Sequence, residues 1–338
     1  MKQNRRTFLK AAGAVGATAL AAGATGARPQ QAQAQAVSAP FNPPKGLTLA
    51  TLKRANGYGL GIRTAKGILD VAAAAPALKE NVPTTIDALF RGEGDAASLN
   101  RLVDKALAGA PKFFVEEAKA TFGPAVTDPE KIICIGLNYR KHAAETGQPV
   151  PKLPILFNKF NTALNHHNGT IAVSKEKAER FDYEAELVIV IGRTARNVSE
   201  ADAGAYIFGY CTGNDFTARD LQSRSSQWML GKACDGFAPV GPWLVTADQV
   251  DGDKLKIECR VNGEVRQSSN TADMVFGTKQ LVSYISNHMT LKPGDIIFTG
   301  TPEGVISGMP KEKQVWLKAG DKLVTSIEKL GDLHFTLT

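Results

Sequence analysis

Two glutamates two positions apart, Glu184 and Glu186, stand at the mouth of the aliphatic run Leu187-Val188-Ile189-Val190-Ile191. Side chains alternate along a strand, so this pair projects from one face while Ala185 points the other way. Like charges side by side at the end of a buried strand repel each other and lose hydration, so something positive must neutralise them. A divalent cation is the simplest candidate. The alternative is a solvated strand end, with Glu186 paired to a nearby Lys or Arg. A third carboxylate, Asp215, follows the strand-like run Ile207-Phe208-Gly209-Tyr210-Cys211-Thr212. There it also suits the N-cap of the segment that begins at Ala218. Three carboxylates with no His or Cys beside them form an oxygen-only ligand set. That set fits Mg²⁺, Mn²⁺ or Ca²⁺ and argues against zinc or copper.

His142-Ala143-Ala144-Glu145 places an imidazole and a carboxylate on one face of a short helix. A Glu beside a His raises its basicity and fixes its orientation, as a general base requires; a solvated surface pair has the same spacing. Lys232, set among small and apolar residues, is a candidate buried cation for an anionic substrate, or a side chain that snorkels to water. Arg219 and Gln222 share a helix face after Asp215, where they either look into the same pocket or form ordinary helix surface. The loop Thr299-Gly300-Thr301-Pro302-Glu303-Gly304-Val305 lacks the ending of a phosphate-binding loop. Its backbone amides and the Thr301 hydroxyl are nevertheless suited to grip a carboxylate. His166 and His167, beside Asn168-Gly169, read as turn residues, and His288 and His334 show no partner pattern.

The elements that must position these groups fall into two textures. Residues 47–126 read as two short strands, Leu47–Leu52 and Gly57–Ile62, followed by helices near Ile68–Leu78, Thr85–Phe90 and Ala97–Ala108. From 127 to 338 strand-like runs dominate: Lys131–Gly136, Leu153–Phe157, Tyr183–Ile191, Ile207–Thr212, Leu244–Thr246, Leu255–Val261, Ile296–Thr299 and Leu323–Ile327. Short helices are expected at Arg140–Glu145, Ser199–Ala205, Ala218–Gln227 and Met274–Ser286. Asn262-Gly263 marks a hairpin turn. The expected fold class is α+β: a small N-terminal α/β domain over 47–126 and a β-dominated catalytic domain over 127–338.

Residues 1–36 read as an address. Arg5-Arg6 precedes the Ala/Gly-rich run Ala11–Ala24, and Ala34-Gln35-Ala36 resembles a cleavage site, so a twin-arginine (Tat) signal peptide cut near Ala36 is expected. Residues 37–46 follow as a Pro-containing linker. The implied destination is periplasmic or extracellular, reached through the Tat translocase. Of the chain's 40 basic residues, that leader holds five (Lys2, Arg5, Arg6, Lys10, Arg28) and no acid. Without them 35 remain against 33 acidic residues, a net of +2, so charge supports no nucleic-acid partner. No run approaches the roughly 20 apolar residues of a membrane span, so no stable membrane anchor is expected. Cys134, Cys211, Cys234 and Cys259 are scattered and read as buried thiols, with spacing unable to pair them.

In order along the chain stand G-L-N-Y-x-x-H-x-x-E, D-Y-E-x-E-L, N-D-x-x-x-R-D-x-Q, G-K, P-x-G-P, N-G-E-x-x-Q, L-x-P-G-D-I-I and T-G-T-P-x-G-V. This series, from Gly136 to Val305, resembles the fumarylacetoacetate hydrolase superfamily. The resemblance implies a mixed β-roll, a homodimer, and a divalent metal (Mg²⁺ or Mn²⁺, with Ca²⁺ behind them) held by Glu184, Glu186 and Asp215. It implies His142 and Glu145 as the catalytic dyad, on a segment that closes as a lid in relatives. Lys232 would steady the enolate, with Arg219, Gln222 and Thr301 contacting substrate. The implied activity is C–C bond hydrolysis of a small acylpyruvate or 1,3-diketo acid through a metal-stabilised enolate. Isomerisation of a 2-hydroxymuconate-type acid, decarboxylation or lyase chemistry on the same enolate are alternatives, and a non-catalytic periplasmic binding protein is a further one. The tyrosine-breakdown enzyme of eukaryotes has an extra metal-binding Asp ahead of its catalytic His, where this chain has Leu137-Asn138-Tyr139. That departure makes the chain look like the shorter prokaryotic acylpyruvases and isomerases, active in aromatic compound catabolism.

Overall fold

The computed structural model describes residues 43–109, 111–174 and 178–338. The expected signal peptide and its cleavage site lie outside the described residues. Phe41–Thr338 form one compact unit.

Ten strands build a mixed sheet in the order Phe114–Val115, Gly67–Asp70, Gly57–Thr64, Thr48–Arg54, Trp243–Thr246, Ile207–Asn214, Ala185–Ile191, Ile296–Phe298, Ile132–Gly136 and Ile155–Lys159. Its neighbours pair antiparallel except Ile296–Phe298 with Ile132–Gly136. Strands from both sides of the expected boundary at 127 thus join in one sheet, through Thr48–Arg54 against Trp243–Thr246. A second sheet of five strands runs Glu264–Asn270, Lys256–Val261, Lys322–Ile327, Gly331–Leu337 and Gly169–Ile171.

The strand Ala185–Ile191 is buried along its whole length, as its unbroken aliphatic run requires. Leu187, Ile189 and Ile191 pack with Ile257, Cys259, Leu323 and Phe335 of the five-stranded sheet. Val188 and Val190, on the opposite face, pack with Ile86, Leu89, Leu99 and Leu102 of the N-terminal helices. The site-bearing strand therefore lies between two layers, and its period of two assigns each side chain to one of them. This is the β-dominated α+β architecture expected.

Local departures have local causes. The helix expected from Ile68 starts only at Val71, because Gly67–Asp70 pairs with Gly57–Thr64, and the Asp70 carboxylate then caps Ala73 N at 3.3 Å. The helix expected over Ala218–Gln227 is the single turn Arg219–Gln222, and that expected from Met274 runs Thr278–His288. Asn262-Gly263 does close a hairpin, with Val261 opposite Glu264. Among the described residues no cysteine forms a disulfide, and no helix is long and apolar enough to cross a membrane.

Candidate metal centre and active site

Glu186 lies opposite Gly213 and Ala185 opposite Asn214 in the antiparallel register, so the end of the neighbouring strand carries Asp215 to the glutamates. One carboxylate oxygen from each of Glu184, Glu186 and Asp215 lies within 4.8 Å of the others. The residues are 5%, 1% and 0% exposed. The solvated-end alternative is thereby removed, and Asp215 is not an exposed helix cap.

Three cations surround this trio. Lys232 Nζ bridges Glu184 Oε2 at 2.6 Å and Asp215 Oδ2 at 2.8 Å. Arg219 reaches Glu184 Oε1 at 2.8 Å and, through Nε, Asp182 Oδ2 at 2.8 Å. Lys159 Nζ lies 2.5 Å from Asp215 Oδ1 and donates to the carbonyls of Lys232 and Phe237. Lys232 does not snorkel: it is 2% exposed. Gly231 makes its approach possible, since a Cβ there would stand 2.4 Å from Ala218 O and 2.5 Å from Gln222 N.

Four buried carboxylates, Asp182 included, face these three cations. The shortfall falls on Glu186, which accepts Gly300 N at 2.7 Å and has no cationic partner among the described residues. Burial, then Asp215 and Glu184, push its carboxyl well above the usual range. Glu184 goes the other way: burial raises it, but Lys232 and Arg219 outweigh that and hold it low. Burial lowers Lys232, and Asp215 and Glu184 more than restore it. Asp215 Oδ1, though close to Lys159, has no hydrogen-bond donor aligned on it. A buried oxygen trio with one carboxylate that no cation partners fits a hard divalent cation.

The loop after Ile296–Phe298 serves the site in an unexpected way. Its amides do grip carboxylates, but these are the protein's own: Gly300 N binds Glu186 and Gly304 N binds Glu145 Oε2 at 2.8 Å. Gly300 sits at φ +98°, and a Cβ there would meet Asn138 Cβ at 2.7 Å, so glycine is required twice over. Asn138, in the Leu137-Asn138-Tyr139 segment, uses its buried amide to tie Phe276 and Thr299. Thr301 Oγ1 accepts Gln267 Nε2 at 2.8 Å, leaving its own proton to donate.

On the helix Arg140–Glu145, His142 Nδ1 lies 2.8 Å from Glu145 Oε1, a pair locked from behind by the Gly304 amide. His142, Glu145, Glu184, Glu186, Arg219 and Lys232 line one cavity of about 970 Å³, with Gln222 and Thr301 also in its wall. Gln222 Oε1 accepts from Arg219 at 3.1 Å. Every site residue expected from the sequence except Asp215 borders this cavity, and Asp215 lies beneath it through Lys232. Two members were not anticipated. Asp182 had a readable signal, since it alternates in phase with Glu184 and Glu186; Lys159, at the end of an edge strand, had none.

A buried carboxylate trio and a clamped His-Glu pair thus open on one cavity. The chain belongs to the fumarylacetoacetate hydrolase family: the family's sequence profile, described as fumarylacetoacetate (FAA) hydrolase C-terminal, matches residues 131–338. The bovine (Bos taurus) protein named oxaloacetate tautomerase FAHD2A, mitochondrial, is 40% identical over 316 residues, 91% of this chain and 97% of that one. Among solved structures, 5-carboxymethyl-2-hydroxymuconate delta-isomerase from Mycobacterium smegmatis superposes with a TM-score of 0.66 at 30% identity, covering 86% of this chain and 98% of that one. Fumarylpyruvate hydrolase from Pseudomonas aeruginosa, solved with Mn²⁺ and pyruvate, gives 0.57 at 32% identity, covering 64% and 91%.

These relatives correct two expectations. Periplasmic or extracellular localisation by Tat export is overturned, because the bovine and human oxaloacetate tautomerases that match about nine-tenths of this chain are named as mitochondrial proteins. The physical reason is that a basic, acid-free leader is a property that organelle-targeting segments share with secretory ones. Placement in a prokaryotic branch does not follow either, since the bovine relative is eukaryotic and the two structures are bacterial.

Proposed function

We propose that this chain is a divalent-metal-dependent enzyme that interconverts the keto and enol forms of a small β-carbonyl acid of the oxaloacetate type. The observation that carries this reading is the His142–Glu145 pair facing the same cavity as the Glu184, Glu186 and Asp215 trio. Glu184, Glu186 and Asp215 would hold Mg²⁺ or Mn²⁺, which when bound supplies Lewis-acid charge to the substrate's keto and carboxylate oxygens. Glu145 takes the Nδ1 side of His142, which leaves Nε2 to accept a proton from the carbon next to the carbonyl and deliver it to the enolate oxygen, and to run the same transfer in reverse. Lys232 and Arg219, already fixed on the carboxylates, keep positive charge beside the oxygen on which negative charge develops. The Thr301 hydroxyl orients the acid, and Gln222 keeps Arg219 in place. The relatives named as tautomerase and isomerase favour this proton shuttle.

A second reading, hydrolytic C–C cleavage of an acylpyruvate, is favoured by the fumarylpyruvate hydrolase likeness. It uses the same pair differently: His142 deprotonates a water that attacks the distal carbonyl, the C–C bond breaks to leave a carboxylic acid and the pyruvate enolate, and the proton held by His142 passes to the enolate carbon. We place a homodimer within the same proposal.

The test follows oxaloacetate enol absorbance and, separately, the products of acylpyruvates, with and without metal. Tautomerisation conserves mass, hydrolysis yields two fragments and decarboxylation releases CO₂. His142→Ala is expected to lose roughly 10²–10⁴-fold in rate. Full metal-dependent activity in that variant would sink both readings.

A further inference from the structure

Most charged side chains of the cavity wall are committed to one another. Glu145 holds His142, while Arg219 and Lys232 hold Glu184. Arg180 and Lys311 also border the cavity, and among the described residues neither has a carboxylate within ion-pair distance. Both are exposed, whereas the carboxylate trio is buried. The cavity is therefore acidic where the metal would sit and basic at its mouth.

Arg180 is held in a defined place. Its carbonyl accepts the amide of Arg219 at 2.8 Å, which ties it to the metal site's own arginine. The next residue, Phe181, bridges to Leu317, with Leu317 N donating to Phe181 O at 3.1 Å. That bridge brings Arg180 beside Trp316, whose ring centre lies 5.9 Å from the guanidinium carbon. An arginine at the outer edge of cation–π range of an indole, with no carboxylate partner among the described residues, keeps its N–H edge open to receive a carboxylate with two parallel hydrogen bonds. Lys311 is carried by the turn Lys311–Lys313, braced where Gln314 Nε2 donates to Met309 O at 2.8 Å.

We propose that Arg180, backed by Trp316 and assisted by Lys311, is a subsite for the distal carboxylate of an extended dicarboxylic keto acid whose keto end lies at the metal centre. This rests on the function proposed above and deepens it: the preferred substrate is a diacid longer than oxaloacetate, spanning from the buried trio to the exposed arginine. The cavity of about 970 Å³ has room for such a chain.

The test compares fumarylpyruvate, an acylpyruvate that ends in a second carboxylate, with acetylpyruvate, which ends in a methyl group. Metal-loaded protein is examined by calorimetric binding and by kcat/KM. Wild type is expected to favour the diacid by on the order of ten-fold, the worth of one charge-assisted pair. Arg180→Ala should collapse that ratio, Arg180→Glu should invert it, Arg180→Lys should restore part of it, and Lys311→Ala should reduce it modestly. Equal affinity of wild type for the two acids, or an unchanged ratio in both Arg180→Ala and Arg180→Glu, would overturn the subsite. Binding that prefers the diacid and depends on Arg180, without turnover of any keto acid, would keep the subsite and reject the proposed function.

Discussion

Glu80 and Glu184 are clamped in the same way, but by cations in opposite surroundings. Each has an arginine on one oxygen and a lysine on the other: Arg101 at 2.8 Å and Lys105 at 2.6 Å for Glu80, Arg219 at 2.8 Å and Lys232 at 2.6 Å for Glu184. The cations of Glu80 are 58% and 47% exposed, while those of Glu184 are 11% and 3% exposed. At the surface the hydrated cations give up little to form the clamp, and its worth is small and screened. In the interior every partner has lost its water, so the cluster is held only while its charges balance. The same pairing therefore fastens a helix in one place and leaves an unmet demand for positive charge in the other. Glu186 is where that demand sits.

The largest expected effect comes from unbalancing the buried cluster. Lys159→Met leaves Asp215 short of a cation and should lower unfolding stability by roughly 3–5 kcal/mol, read as a shift in denaturant midpoint at constant slope. Arg101→Ala should cost a small fraction of that. Equal midpoints for the two variants would erase the distinction between the clusters.

Next comes metal removal. At a free metal concentration of about 100 times Kd, wild type should gain about 2.7 kcal/mol of stability over EDTA-treated protein. Glu186→Gln should remain folded yet lose this gain together with metal-dependent activity, and Glu80→Gln should keep both. An unchanged metal affinity in Glu186→Gln would return the trio to a purely structural role.

The smallest effect is in acid. Hydrogen bonds from Arg101 and then Lys105 draw the Glu80 carboxyl from 4.5 down to about 2. A carboxyl depressed in the folded state stabilises it above the unfolded value and loses that benefit as pH falls. The stability difference between wild type and Glu80→Gln should therefore be full above pH 4.5 and close as pH approaches about 2. A difference that instead grew on acidification would mean the surface clamp is not what the geometry shows.

What was legible from the chain was whatever depends on short spacing. The period of two in Asp182-Tyr183-Glu184-Ala185-Glu186 placed two glutamates on one face, and it placed Asp182 there as well, although only the glutamates were singled out. The His142–Glu145 pair followed from helical spacing, and the buried strand followed from its unbroken aliphatics. The order of the motifs along the chain identified the family, because several weak patterns in sequence constrain one another.

Tertiary structure alone decided how these pieces face each other. Lys159 reaches Asp215 across 56 residues of chain, and the Gly300 and Gly304 amides close on Glu186 and Glu145 from a distant loop. Lys232 proved to be wedged between two carboxylates, and Arg180 comes near Trp316 only through the Phe181–Leu317 bridge. Periodicity along the chain reports which side of an element a residue occupies. Sheet register and loop closure determine what that side meets, and burial there converts ordinary ion pairs into a charge balance that one glutamate leaves open.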